Sequence, residues 1–169
     1  MKLSMPFKFL TLDTVYDRFC FNSGSEALDR YFKQQVTQDI RRRITTCFVA
    51  LTSENQIAGY YTLAATSIFL SNLPDNIKKK LPRYPSVPAV RMGRLAVDQN
   101  FKGKGLGGAL LADALYRSAQ AEIATYALVV DAKDSAAISF YQHYGFTAFI
   151  DSPMSLFLPL ATVHGVVDR

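Results

Sequence analysis

Between a strand that ends at Leu95-Ala-Val-Asp98 and a helix that opens at Gly105 lies the segment Lys102-Gly-Lys-Gly-Leu-Gly-Gly108. Glycine lets a backbone approach a ligand closely. The free N–H groups and the dipole at a helix start attract anions. Lys102 and Lys104 add positive charge, so a pyrophosphate suits this place. From the residues alone, other readings stay open. Gly103-Lys-Gly105-Leu-Gly-Gly108 satisfies G-x-G-x-x-G, the dinucleotide fingerprint. That fingerprint expects a tight turn straight off the strand and an acid roughly 20 residues on. Here the loop after the strand is longer, although Asp131 stands near the place of the acid. A Walker A loop is excluded, because no Gly-Lys-Ser/Thr triplet follows. A glycine loop without a ligand is the remaining reading.

Charge is the second chemical feature. The formal net charge is +5, unevenly placed. No acid stands between Asp75 and Asp98, a stretch that holds Lys78, Lys79, Lys80, Arg83, Arg91 and Arg94. Arg41, Arg42 and Arg43 form a second group. Such surfaces attract polyanions at long range. The plainer alternatives are that the lysines are simply solvated and that Arg41–Arg43 cover a helix end, where cations favour the dipole. A cysteine nucleophile would want a nearby histidine. The histidines are His143, read as an exposed helix residue, and His164, in the C-terminal tail. With so few ligands no metal site is expected. Cys20 and Cys47 both lie among apolar residues and read as buried thiols of a reducing cytoplasm, with a disulfide or a reactive thiol as the alternatives.

The elements that must position these groups are legible in the patterning. Residues 7–10 read as a short strand, and Ser23-Gly-Ser-Glu26 as a capping box. Leu28, Tyr31, Phe32, Val36 and Ile40 then fall on one helical face. Thr46–Thr52 and Ile57–Ile68 pair across a turn at residues 53–56. Pro74 opens a short basic helix to about Lys80, and Pro82, Pro85 and Pro88 hold the next stretch extended. Val90–Val97 is a strand. Gly105–Ala121 is a helix with Leu106, Leu110, Leu111, Ala114 and Leu115 as its apolar stripe. Thr125–Asp131 is a strand. Asp134–Tyr144 is a helix with Ala137, Phe140, Tyr141 and Tyr144 on one face. Phe146–Ile150 and Ser155–Leu160 close the sheet. The order β-α-β-β-α-β-α-β-α-β-β gives an α/β domain on a mixed sheet over residues 1–160, and 161–169 read as a frayed tail.

A chain of 169 residues with 49% hydrophobic and 20% charged residues suits one globular core. Phe and Tyr fill that core, as Trp is absent. No apolar run reaches the roughly 18 residues of a membrane span. The N-terminus carries no secretory pattern, so a cytoplasmic location is expected.

Two motifs carry a family resemblance. Lys102-Gly-Lys-Gly105-Leu-Gly107 resembles the acetyl-CoA signature of the GNAT acetyltransferases, Gln/Arg-x-x-Gly-x-Gly/Ala, with Lys102 in the Gln/Arg place. Asp134-Ser-Ala-Ala137-Ile-Ser-Phe140-Tyr141-Gln-His-Tyr-Gly145-Phe146 resembles their second motif, with Asp134 for the usual Asn. The resemblance covers residues 46–150 and implies a GNAT fold: a mixed, mostly antiparallel sheet, splayed at the cofactor site and flanked by helices. It implies that Lys102, Gly103, Lys104, Gly105, Leu106, Gly107 and Gly108 hold the pyrophosphate of acetyl-CoA. It places the pantetheine arm against the backbone of Leu95, Ala96 and Val97, and Asp134 and Ala137 on the cofactor side. A backbone N–H there polarises the thioester carbonyl. Tyr141, otherwise a core tyrosine, becomes the proton donor to the leaving thiolate.

A narrower resemblance runs nearly to Leu160. Phe21–Phe32, Ala58–Leu63, Leu81–Pro88, Arg94–Asp98 and Leu156–Leu160 are similar to stretches of the GNAT toxins of toxin–antitoxin modules, the TacT and AtaT group. It implies acetylation of the α-amino group of an aminoacyl-tRNA, a block on translation, a homodimer and a ribbon-helix-helix antitoxin. The basic residues agree with such an acceptor: Arg41, Arg42, Lys78, Lys79, Arg83, Arg91 and Arg94 could hold phosphates, with Tyr84 interleaved as in nucleic-acid contacts. An aminoacyl ester amine is less basic than lysine, so it needs no strong general base. The alternatives are a GNAT enzyme of a small amine or a protein N-terminus, a CoA-binding subunit that acts on DNA through a partner, and a dinucleotide enzyme.

Overall fold

The computed structural model describes residues 7–163. Strands β1 (Lys8–Thr11), β2 (Thr46–Leu51), β3 (Ile57–Phe69), β4 (Ser86–Val97), β5 (Ala127–Asp131), β6 (Thr147–Ala148) and β7 (Ser155–Pro159) join in the order β1-β2-β3-β4-β5-β7-β6. The β4–β5 ladder is parallel, while β1–β2, β2–β3, β5–β7 and β6–β7 are antiparallel. The helices are α1 (Glu26–Arg30), α2 (Val36–Arg41), α3 (Asp75–Lys78), α4 (Leu106–Gln120) and α5 (Ser135–His143). This is the α/β architecture on a mixed sheet that the element order predicts, mostly antiparallel as the family resemblance implies.

The described residues divide into two compact units, one of those up to 64 with 94–114, the other of 65–93 with those from 115 on. In the first, Phe21, Phe32 and Tyr60 form an aromatic centre, with Phe32 and Tyr60 stacked at 4.2 Å. The buried Tyr60 hydroxyl donates to the Leu28 carbonyl at 2.8 Å, which satisfies it inside the core. Successive residues of β4 alternate sides: Ala96 packs into that aromatic cluster, while Leu95 and Val97 pack with Leu106 and Leu110 of α4. Gly59 is required here, because a Cβ would lie 2.9 Å from the Ala96 carbonyl and 2.8 Å from Leu110.

Several boundaries differ from expectation for local reasons. The cap of α1 is Ser25, whose side chain accepts from the Leu28 N–H, and not Ser23. The Ser23 hydroxyl instead donates to Asp29 at 2.7 Å. Between α1 and α2 the helix widens into a π turn, Tyr31–Gln35. Cys47 is buried but Cys20 is exposed, because the segment before Phe21 carries its apolar side chains outward, with Phe19 84% exposed.

In the second unit, Ile68, Val87, Ala89, Ala127, Val129, Phe149 and Phe157 share one core. Strand β4 starts at Ser86, earlier than the expected Val90, since proline backbone at Pro85 and Pro88 is already extended. Strand β6 is only Thr147–Ala148, and β5 starts at Ala127, later than Thr125. The parallel ladder runs from Ala89–Ala127 to Met92–Val130 and stops, although β4 continues to Val97. Leu160–Val163 forms a 3-10 turn in which Val163 is buried while Ala161 and Thr162 are exposed, so the expected tail starts as an ordered turn. Residues 164–169, with His164, lie outside the described residues.

Candidate active site

In the first unit the glycine segment is held from below. The buried Asp98 caps the turn Gln99–Phe101 by accepting from the Asn100 N–H at 2.9 Å, and its other oxygen accepts from the Asn22 N–H at 2.9 Å. The Gln99 N–H donates to the Asn22 carbonyl at 2.8 Å. The Lys102 ammonium donates to the Ser23 carbonyl at 2.6 Å. The loop before α4 is therefore tied to residues 22–23, a link that spacing in the sequence could not show. Lys104 stays exposed, with its ammonium 5.6 Å from the centroid of the Phe101 ring.

Helix α4 begins immediately after Gly105, whose carbonyl accepts from the Ala109 N–H at 3.1 Å. The N–H groups of Leu106, Gly107 and Gly108 thus precede any intrahelical acceptor. Gly103 and Gly105 adopt φ of 77° and 78°, and a Cβ on either would meet nothing within 4 Å. The space beside both α-carbons is open, as the close approach of a pyrophosphate requires. The residues present fit an anionic cofactor. The apolar stripe Leu106, Leu110, Leu111, Ala114 and Leu115 is buried as predicted and fixes the helix direction.

In the second unit, Asp134 caps α5 by accepting from the Ala137 N–H at 2.8 Å. About two turns carry the helix from its cap to Tyr141, which is 7% exposed. Its ring meets Phe140 and Phe146 at 5.2 and 5.6 Å. Its hydroxyl makes no hydrogen bond to another described residue. Burial, and then the charge of Asp131, pushes the phenol up to about 12. At neutral pH Tyr141 is therefore a proton donor and not a base. His143 is exposed at the end of the same helix, as expected.

The basic residues separate into groups. Lys78, Lys79 and Arg83 line one cleft of about 910 Å³ in the second unit, together with Asp75 and Tyr84. All three cations are exposed, and Tyr84 is 61% exposed. Arg91 differs, because it forms an ion pair with Asp131, which also accepts from the Ser155 hydroxyl at 2.6 Å. In the first unit, Arg41 and Arg42 are exposed at the end of α2. Arg94 is half-buried, and its guanidinium lies 3.4 Å from the centroid of the Tyr31 ring.

The first unit thus offers a helix start open to an anion, and the second a buried, protonated tyrosine. Residues 20–155 match the Acetyltransferase (GNAT) domain family, and the chain belongs to it. It is an acetyltransferase that uses acetyl-CoA. Over 149 residues it is 31% identical to the tRNA-acetylating toxin of Mycobacterium tuberculosis (strain ATCC 25618 / H37Rv), covering 87% of this chain and 88% of the relative. Among solved structures it is similar to AtaT complexed with acetyl-methionyl-tRNAfMet, with TM-score 0.87, 29% identity, and 95% and 98% of the two chains covered. It is likewise similar to AtaTR bound with acetyl-CoA, with TM-score 0.82, 28% identity, and 95% and 98% covered. No helix among the described residues is long and apolar enough to cross a membrane.

Proposed function

We propose that this chain acetylates the α-amino group of an aminoacyl-tRNA and so blocks translation, as the toxin of a toxin–antitoxin pair in the cytoplasm. The observation that carries this reading is the likeness, over nearly the whole chain, to a tRNA-acetylating toxin and to a structure holding acetyl-methionyl-tRNA. The basic cleft of Lys78, Lys79 and Arg83 supports it, since exposed cations beside an exposed tyrosine suit a nucleic acid. Arg41, Arg42 and Arg94 add charge in the first unit. Arg91 contributes least, because Asp131 already answers its charge.

Acetyl-CoA supplies an acetyl thioester, whose carbonyl carbon takes the amine and whose sulfur leaves. The amides of Gly103–Gly108 hold the pyrophosphate, and the Lys102 ammonium retains donors for it beyond its bond to Ser23. The backbone of Leu95, Ala96 and Val97 aligns the pantetheine arm and polarises the carbonyl. Asp134 and Ala137 act on the cofactor side of α5, Asp134 by fixing the helix start. The Tyr141 hydroxyl gives its proton to the departing sulfur, and water takes the proton of the attacking amine. The resemblance further supports a homodimer and a ribbon-helix-helix antitoxin partner.

The test is direct. Incubation with acetyl-CoA and total charged tRNA, followed by identification of the products, should yield an N-acetyl-aminoacyl-tRNA. Acetylation of only small amines or protein N-termini in parallel reactions would replace this reading with the broader one.

A further inference from the structure

The helical segment after Ser25 holds an arrangement that the catalytic chemistry does not use. The Tyr31 hydroxyl donates to Asp39 Oδ2 at 2.8 Å, and the Gln35 amide donates to Asp39 Oδ1 at 3.2 Å. Both carboxylate oxygens are thereby engaged. On the other side, the Arg94 guanidinium lies over the Tyr31 ring at 3.4 Å, and the Arg94 backbone N–H donates to the Thr62 hydroxyl at 3.1 Å. Arg94 makes no ion pair and no side-chain hydrogen bond to another described residue. Stacking occupies the face of a guanidinium and leaves its N–H edge free. The result is a half-buried, oriented cation whose side-chain donors meet no acceptor among the described residues.

The π turn builds this arrangement. Tyr31 and Asp39 are separated by 8 positions. In a regular α-helix that spacing leaves them roughly 80° apart around the axis. A π turn takes up one extra residue, so the pair stands as though about seven apart, within roughly 20° of one face. The Val36 N–H reaching back to the Tyr31 carbonyl marks the widening. A bond from the phenol to a carboxylate also makes the ring more electron-rich, which strengthens its hold on a cation.

We propose that Tyr31 and Asp39 are positioning residues that aim the Arg94 guanidinium as a phosphate clamp for the 3′ end of the acceptor tRNA. The inference rests on the aminoacyl-tRNA reading and deepens it. A planar guanidinium held by its face presents parallel donors to two phosphate oxygens, which a free lysine does not. Arg94 immediately precedes the strand residues Leu95–Val97, so an anchored phosphate here sets where the acceptor end begins. This clamp is distinct in kind from the exposed cations of the Lys78–Arg83 cleft, which attract without orienting.

The experiment compares Arg94→Gln, Arg94→Lys, Tyr31→Phe, Tyr31→Leu and Asp39→Asn. Each is assayed for the KM of charged tRNA, the KM of acetyl-CoA, the salt dependence of tRNA binding and the melting curve. Arg94→Gln should raise the KM for tRNA by roughly 10–100-fold, the worth of a charge-assisted bidentate contact. Its salt slope should fall by about 0.7, one single-strand phosphate contact. Arg94→Lys should keep the slope but not the affinity. Tyr31→Leu should raise the same KM by roughly 3–30-fold with an unchanged slope, because the charge remains but its platform is gone. Tyr31→Phe and Asp39→Asn should fall between wild type and Tyr31→Leu, which separates positioning from mere packing. In all five the KM for acetyl-CoA should stay at the wild-type value. Arg94 variants that acetylate charged tRNA with a wild-type KM would overturn the clamp while leaving the tRNA reading intact. A lowered melting curve in the Tyr31 variants with unchanged KM would overturn the positioning role. Wild-type protein that leaves charged tRNA unmodified and acetylates a small amine would overturn the tRNA reading itself, and the clamp with it.

Discussion

Helix α5 begins under its own cap, whereas α4 begins at a glycine. At the start of α5 the Asp134 carboxylate takes the Ala137 N–H at 2.8 Å, so an acid of the chain already fills the place an anion would occupy. At the start of α4 the cap position is Gly105, which has no side chain to offer, and the ground beside it is open. The same dipole is thus answered by a capping side chain in one helix and left without one in the other. The consequence is a division of labour. In the proposed function, helix α4 works through its backbone at its first turn, and α5 works through one side chain, Tyr141, near its last. An anion site at a helix start is marked as much by the absence of a capping side chain as by the presence of glycine.

The largest effect should come from closing the open start. Gly105→Val places a branched side chain beside the amides at a backbone φ that such residues avoid. Gly107→Val puts bulk on the first turn itself. Calorimetry should detect no acetyl-CoA binding in either variant. Unchanged affinity in both would show that the α4 start is not the cradle, and the contrast with α5 would lose its meaning.

Next in size is Tyr141→Phe, which preserves the packing against Phe140 and Phe146 and removes the proton. Turnover should fall by roughly 10²–10⁴-fold, the range for loss of a general acid, with acetyl-CoA affinity retained. The pH profile sharpens the point. The phenol is pushed up to about 12, so its acid form persists through neutral and mildly alkaline pH. Its loss begins only as pH approaches that value. Activity should therefore rise with pH as the acceptor amine loses its proton, without a descending limb below about 10, the ordinary pKa of tyrosine. A descending limb near neutrality, or wild-type turnover in the Phe variant, would return Tyr141 to the core.

The sequence exposed the parts of this division that rest on local pattern. The stripe Leu106–Leu115 and the motif from Asp134 to Phe146 have helical periods, so both helices were legible, with the ends to which the proposed roles attach. What remained hidden depends on pairing across long separations or on departures from regular geometry. Asp98 joins Asn22 across 76 positions, and Lys102 joins Ser23 across 79, with nothing local to announce either. Cys20 sits among apolar residues in sequence, yet is exposed because neighbouring apolar side chains face outward. The π turn shifted Asp39 onto the face of Tyr31, whereas a regular helix places it elsewhere. The cleft of Lys78, Lys79 and Arg83 was visible as a charge run, but its walls, Leu70 and Pro85 among them, come from folding.

The smallest effect tests the cap itself. Asp134→Ala removes the acceptor for the Ala137 N–H and should cost about 1 kcal/mol of stability, as loss of an N-cap does. For a chain of this size that is a fall in melting temperature of roughly 2–4 °C. Asp134→Asn keeps a capping oxygen and restores the residue that the GNAT motif usually carries, so it should melt within a degree or so of wild type. Since the carboxylate is engaged by its own helix, acetyl-CoA affinity should stay within about twofold of wild type in the Asn variant, a difference below the 1.4 kcal/mol of a tenfold change. An Ala variant that melts normally but binds acetyl-CoA much more weakly would reverse the assignment. Asp134 would then face the cofactor and not the helix, and both helix starts would belong to the ligand.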